Sequence, residues 1–206
     1  QYLKIIPSEV IERDYGCGDP SQYVRPGDVV LDLGSGGGKI CFIASQVVGK
    51  EGKVIGVDMT DDMLDLARRN APIVADRIGY SNIEFKKGNI QDLKTDMGQV
   101  DDYLKNSPVT DSASYSALQN EIQAIGANSP MIADNSIDII VSNCVLNLVS
   151  DKEKKQLFQE MNRVLKVGGR IAISDIVSDE ISPEHLKKDE KLWSGCISGA
   201  FQEHEF

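Results

Sequence analysis

Basic residues are scarce: 22 Lys and Arg stand against 32 Asp and Glu, a formal net charge of -10. A field of that sign repels phosphate backbones and anionic lipid heads, so neither nucleic acid nor a membrane surface is expected as the main partner. Long apolar runs are also missing. No stretch approaches the length of a membrane span, and no basic-then-apolar segment opens the chain. Only two histidines occur, His185 and His204, both read as facing solvent. The four cysteines, Cys17, Cys41, Cys144 and Cys196, form no C-x-x-C pair, which argues against a zinc ribbon. Four cysteines in 206 residues with no signal segment point to a reducing compartment, and a cytoplasmic location is expected.

What is present is enough for one domain: 206 residues, 41% of them hydrophobic. Short β-branched runs predict strands at 29–33, 53–58, 83–86, 137–142 and 170–175. Their near-continuous apolar character fits a parallel sheet covered on both faces. Helical spacing fills the intervals at 38–48, 61–78 and 151–165, with Pro72 expected to kink or split the second. This alternation implies right-handed crossovers and a doubly wound, mostly parallel α/β sheet. Residues 94–133 break the rhythm. They are polar, include a candidate helix at 112–125, and read as an insertion between strands three and four.

The first strand runs into Asp32-Leu33-Gly34-Ser35-Gly36-Gly37-Gly38. Glycines between a strand and a helix let the backbone approach a ligand and take positive φ. Asp58 ends the second strand, where a carboxylate can accept both ribose hydroxyls of an adenosine. The glycine spacing is not the G-x-G-x-x-G of NAD sites, so a dehydrogenase is disfavoured. An acid two residues before the first glycine suits a cofactor with an amino-acid tail, whose ammonium Asp32 can hold. After the third strand, Asn89 and Ile90 are placed to border an adenine. These segments, with Leu165-Lys166-Val167-Gly168-Gly169, resemble the class I S-adenosylmethionine-dependent methyltransferases. That resemblance implies a Rossmann-like fold and S-adenosylmethionine as cofactor. The expected cofactor-binding set is Asp32, Gly34, Ser35, Gly36, Gly38, Asp58, Met59, Asn89, Ile90 and Asn143. Members of the superfamily usually carry two further strands, absent from these residues, so strand five is expected at an open edge.

Three cysteines lie in unusual surroundings: Tyr15-Gly16-Cys17-Gly18, Ser142-Asn143-Cys144-Val145-Leu146-Asn147-Leu148 and Trp193-Ser194-Gly195-Cys196-Ile197-Ser198-Gly199-Ala200. Cys144 follows strand four, so topology places it at the ligand-binding rim. The other two segments come from that rim or reach it. Cys41, among Ile40, Ala44, Val47 and Val48, reads as core. Three thiols beside a methyl donor suit a soft centre such as trivalent arsenic, which takes three sulfur ligands and keeps a lone pair. The three cysteine segments and Gly56-Val57-Asp58-Met59-Thr60 resemble the arsenite methyltransferases. On that resemblance Cys17, Cys144 and Cys196 are both the catalytic residues and the As(III) ligands. The substrate is arsenite or its thiol complex, with a thiol reductant, thioredoxin or glutathione, as co-substrate. Without arsenic, the three sulfurs are expected to stand apart. Other soft or small acceptors, such as selenium, tellurium or a carbon acid, and a non-catalytic arsenic-binding thiol sensor are the alternatives.

Overall fold

A computed structural model describes residues 2–180, 183 and 189–204. Five parallel strands make the central sheet: β1 (Val29–Leu33), β2 (Lys53–Asp58), β3 (Ile83–Lys87), β4 (Ile137–Asn143) and β5 (Leu165–Ser174). Their order is β3-β2-β1-β4-β5. The helices are α1 (Ser8–Glu12), α2 (Lys39–Val48), α3 (Asp61–Ile78), α4 (Met97–Asn106), α5 (Ser112–Asn128), α6 (Asp151–Val164) and α7 (Glu190–Ser194). Side chains alternate across the strands with a period of two. Val30, Val54, Ile139 and Val141 join one core with Ile40, Phe42 and Leu66 from α2 and α3. Leu31, Leu33, Ile55, Val57 and Ile140 join the other with Leu157, Met161 and Val164 of α6. Both faces are therefore covered, as the apolar strands require.

β1 pairs with β2 on one side and β4 on the other. The chain winds outward from β1 in both directions, so a crevice opens beyond the carboxyl ends of β1 and β4. At the far side β5 is the edge strand among the described residues. Its register on β4 jumps from Ile137↔Leu165 to Ile139↔Arg170. The Lys166–Gly169 stretch bulges there, with Gly168 at φ 81° and Val167 fully exposed. Past β5, the two-residue strands β6 (Val177–Ser178) and β7 (Phe201–Gln202) pair in parallel and return the chain to the rim.

Two expectations need correction or placing. α3 is not split at Pro72; the helix is continuous from Asp61 to Ile78. Pro72 lies on the exposed face, so the carbonyl it leaves unpaired can be solvated. Buried Leu66, Asn70 and Val74 hold the helix on both sides of it. His204 is exposed, whereas His185 lies outside the described residues. The 94–133 segment forms α4 and α5, the latter started by a reciprocal Asp111–Ser114 capping box. Backbone hydrogen bonds from Met131 to Lys94 and from Ile132 to Leu93, each 2.9 Å, close its base. No described helix is long and apolar enough to cross a membrane.

Candidate functional site

The turn after β1 is held from below. The amides of Gly34 and Ser35 donate to the carbonyl of Val57 at 2.8 and 3.0 Å. Gly34 sits at φ 75°, and a β-carbon there would lie 2.4 Å from Val145 Cγ1. Only glycine satisfies both constraints. At the end of β2, Asp58 accepts from the amide of Gly36 through Oδ2 and from that of Thr60 through Oδ1, both at 2.9 Å. The carboxylate is thus locked against the glycine turn, with lone pairs remaining on each oxygen. The turn forms the floor of a cleft of about 430 Å³, a size suited to a small molecule.

Asp32 lines this cleft yet is only 2% exposed. Burial pushes its carboxyl up to about 7. A hydrogen bond from Cys41 opposes that rise, and the charges of Asp58 and Asp14 add to it. Ser35 Oγ, on the same wall, is buried and has no hydrogen-bond partner. An orphaned hydroxyl, a glycine cradle and two carboxylates fit an adenosine cofactor with an ammonium-bearing tail.

Not every expected residue reaches the cleft. Gly38 starts α2 at φ 90°, and its missing β-carbon makes room for Phe85 and Phe42 rather than for a ligand. Ile90 is buried in the β1–α6 core. The Asn89 carbonyl is spent on the amide of Asp92. Met59 is exposed outside the cleft, and Met63, one turn into α3, lines it instead. Sequence reasoning also passed over Arg13, Asp14, Lys39 and Leu148, which line the cleft. The Lys39–Asp14 ion pair links the segment before Cys17 to the start of α2. No local signal announces a pair that forms only when the chain folds, but Tyr15 adjoins the cysteine motif and was within reach.

All three expected cysteines line the same cleft. Asn143, at the end of β4, accepts from the amides of Cys17 and Gly18 at 3.0 Å each and donates to the Gly18 carbonyl at 2.9 Å. Its amide therefore clamps the cysteine loop while Asn143 also lines the cleft. Glycines flank Cys17 because side chains cannot fit: a β-carbon at Gly16 would lie 2.0 Å from Asn143 Nδ2, and one at Gly18 2.0 Å from Ser174 Oγ. Cys144 and Cys196 both take left-handed backbone, φ 56° and 61°, uncommon for non-glycine residues and a mark of a constrained site.

The expectation of three separate thiols needs correction. Cys17 and Cys144 form a disulfide, their Cα atoms 5.9 Å apart. Asn143 holds the first cysteine's loop on the strand end that carries the second, which brings the pair within bonding range. Consistent with sulfurs spent on each other, no group of three His, Cys, Asp or Glu is arranged to hold a metal among the described residues. Cys196 remains a free thiol, 6% exposed, and donates to the Cys144 carbonyl at 2.8 Å. Burial pushes this thiol up to about 11, and Asp175 adds to the effect. Buried Asn147 ties the two loops together, donating to Asp175 Oδ1 at 2.8 Å and to the Cys196 carbonyl at 3.1 Å. Gly199 lets the Cys196 turn close over it, since a β-carbon would meet the Asn147 carbonyl at 1.9 Å.

Comparison with known proteins identifies the fold's relatives. The sequence matches the family described as a methyltransferase domain over residues 25–125 and 109–206. An arsenite methyltransferase of Aquipseudomonas alcaligenes is 35% identical over 204 residues, covering 99% of this chain and 49% of the relative. One of Halobacterium salinarum is 36% identical over 187 residues, covering 90% of this chain and 37% of the relative. The crystal structure of an arsenic(III) S-adenosylmethionine methyltransferase from Chlamydomonas reinhardtii shares the Rossmann-like class I fold. It matches at TM-score 0.74 and 32% identity, over 100% of this chain and 57% of that one. The chain spans about half the length, or less, of the curated relatives it matches. It belongs to the methyltransferase domain family and is similar, over nearly all its length, to the arsenite methyltransferases.

Proposed function

We propose that this chain binds S-adenosylmethionine and trivalent arsenic in one cleft and supports methylation of arsenite. The observation that carries the reading is convergence: Cys17, Cys144 and Cys196 open on the same cleft as the Gly34–Gly36 turn and Asp58. S-adenosylmethionine, when bound, supplies an electrophilic sulfonium methyl. Asp58 accepts from the ribose hydroxyls, the glycine turn admits the cofactor close to the backbone, and Asp32 receives the ammonium of its tail. The three cysteines hold As(III) through sulfur, which leaves the arsenic lone pair as nucleophile. No side chain has to act as a base. The protein's contribution is proximity and alignment.

The disulfide adds a requirement. A dithiol, or two thiols from thioredoxin or glutathione, must supply two electrons and two protons to convert Cys17–Cys144 into two thiols. Arsenic then arrives as a thiol complex. Each exchange forms a protein S–As bond and releases the carrier thiol, which leaves with the cysteine's proton. The high pKa of Cys196 is no obstacle to such exchange, because no free thiolate has to accumulate. Because this bond has to open before arsenic binds, the reading requires a reducing setting, which fits a cytoplasmic location. The test is to incubate the protein with S-adenosylmethionine, arsenite and a thiol, and to analyse the arsenic by mass spectrometry. Methylated arsenic is expected from the native chain and none from Cys144→Ser. Methylation at the native rate by that variant would defeat the cysteine assignment, and methylation of only selenium, tellurium or a carbon acid would favour another acceptor.

A further inference from the structure

Cys41 looks like simple core packing, yet its thiol is not idle. It is fully buried near the start of α2, and its Sγ donates to Asp32 Oδ2 at 3.2 Å. That is the side-chain hydrogen bond Asp32 makes among the described residues. Asp32 is almost wholly buried but lines the cleft, beside the unpartnered Ser35 hydroxyl. Two buried polar groups with unused capacity on one wall point to a polar ligand there.

We infer that Cys41 is a positioning residue for cofactor binding, donating to one oxygen of Asp32 so that the carboxylate is held ionised with its other oxygen left for the cofactor's ammonium. This rests on the S-adenosylmethionine reading of the cleft. The environment makes such help necessary. Asp58 from β2 and Asp14 from the segment before Cys17 face the same region with negative charge, Asp14 being paired with Lys39 of α2. Burial and these charges push the Asp32 carboxyl up, and the thiol's hydrogen bond pulls it down. Removing the donor must therefore raise the pH at which Asp32 ionises, and cofactor binding should suffer most on the acid side.

Three variants of the chain separate the donor from the packing. Cys41→Ser keeps a donor, Cys41→Val keeps the volume without one, and Cys41→Ala loses both. S-adenosylmethionine affinity is measured by calorimetry near pH 6.5 and near pH 8.5, either side of about 7, and far-ultraviolet circular dichroism confirms the fold. The cofactor's own amine also titrates in this range, so the readout is the ratio of each variant to the native chain, in which that titration cancels. Cys41→Val and Cys41→Ala should bind roughly tenfold more weakly near pH 6.5. Their deficit should shrink near pH 8.5, while Cys41→Ser stays within about threefold of native at both. A deficit equal at both pH values, native affinity in Cys41→Val, or a Cys41→Ser variant as weak as Cys41→Ala would overturn the inference. If Cys41→Val fails to fold, the alanine and serine variants decide the matter by the same comparison. A native chain that binds no S-adenosylmethionine would instead overturn the cofactor reading, and this inference with it.

Discussion

A single methyl group is enough to disturb the cysteine site. The Gly16 α-carbon faces the Asn143 amide so closely that alanine there must push the clamp aside and release the Cys17 loop. Gly16→Ala should lower arsenite methylation by at least about tenfold, the cost of losing a few hydrogen bonds at a site that works by alignment. S-adenosylmethionine affinity should stay within about threefold of native, because the glycine turn and Asp58 are untouched. Parallel assays of methylated product and of cofactor binding check this, and a variant that methylates normally would show the clamp to be dispensable. Asp58→Ala should show the reverse pattern. It removes a charged acceptor that also ties Gly36 and Thr60, so cofactor affinity should fall roughly ten- to a hundredfold by calorimetry. Residues of this kind differ in how well sequence reveals them. Asp58 and the glycines declare themselves by their place at strand ends, and the three cysteines by their compact motifs. The work of Asn143 and Cys41 stays hidden, since an amide or thiol does not encode its distant partner. Asn89 and Ile90 are legible only by their place after β3, and the cleft itself is lined by α3, the Cys17 loop and the loop after β4.

Among the elements, β1, β2 and β4 were the most readable because each is a mostly buried run rich in Val, Ile and Leu. α3 shows the limit of local rules, since the exposure of Pro72 decides whether the helix survives it. α1 is another case. Five residues cannot make a stable helix alone, and α1 owes its place to α3. Glu9 receives hydrogen bonds from Arg69 and Asn70, and Val10 beside it is buried. The Arg69 guanidinium, then the Asn70 amide, hold the Glu9 carboxyl down to about 2. A carboxyl whose folded pKa is depressed stabilises the fold at pH values above its ordinary pKa of 4.5, and that contribution fades as pH falls towards about 2. Glu9→Gln should thus be less stable than native at neutral pH and should converge on it in acid. Urea midpoints followed from neutral pH down to about 2.5 give the comparison. Parallel curves, with a constant gap at every pH, would mean that the pair contributes through packing and not through charge.

At the scale of the whole molecule, the site is a knot tying distant parts of the chain to one sheet edge. The Cys17–Cys144 bond spans 127 residues, and Asn147 joins the Cys196 turn to the same rim. The parallel sheet made that convergence foreseeable, because every strand delivers its carboxyl end to one side. That two of the sulfurs bond to each other was not foreseeable, since spacing in sequence says nothing about a Cα separation of 5.9 Å. A cross-link closing so long a loop restricts the unfolded chain, an effect of about 4–5 kcal/mol in the chain-entropy picture. Reduction should lower the thermal midpoint by roughly 8–20 °C, at about 2–4 °C per kcal/mol for a chain of this size. Arsenite should then restore part of the loss. As(III) bound by Cys17, Cys144 and Cys196 replaces one covalent bridge by three sulfur bonds and favours the folded state by mass action. The experiment is a set of thermal melts: oxidised, reduced with a phosphine that competes little for arsenic, and reduced with increasing arsenite. The midpoint should fall on reduction and climb with arsenite concentration, while Cys144→Ser should change little on reduction and gain much less from arsenite. If reduced native protein ignores arsenite, the three sulfurs do not form one site, whatever their proximity in the oxidised molecule.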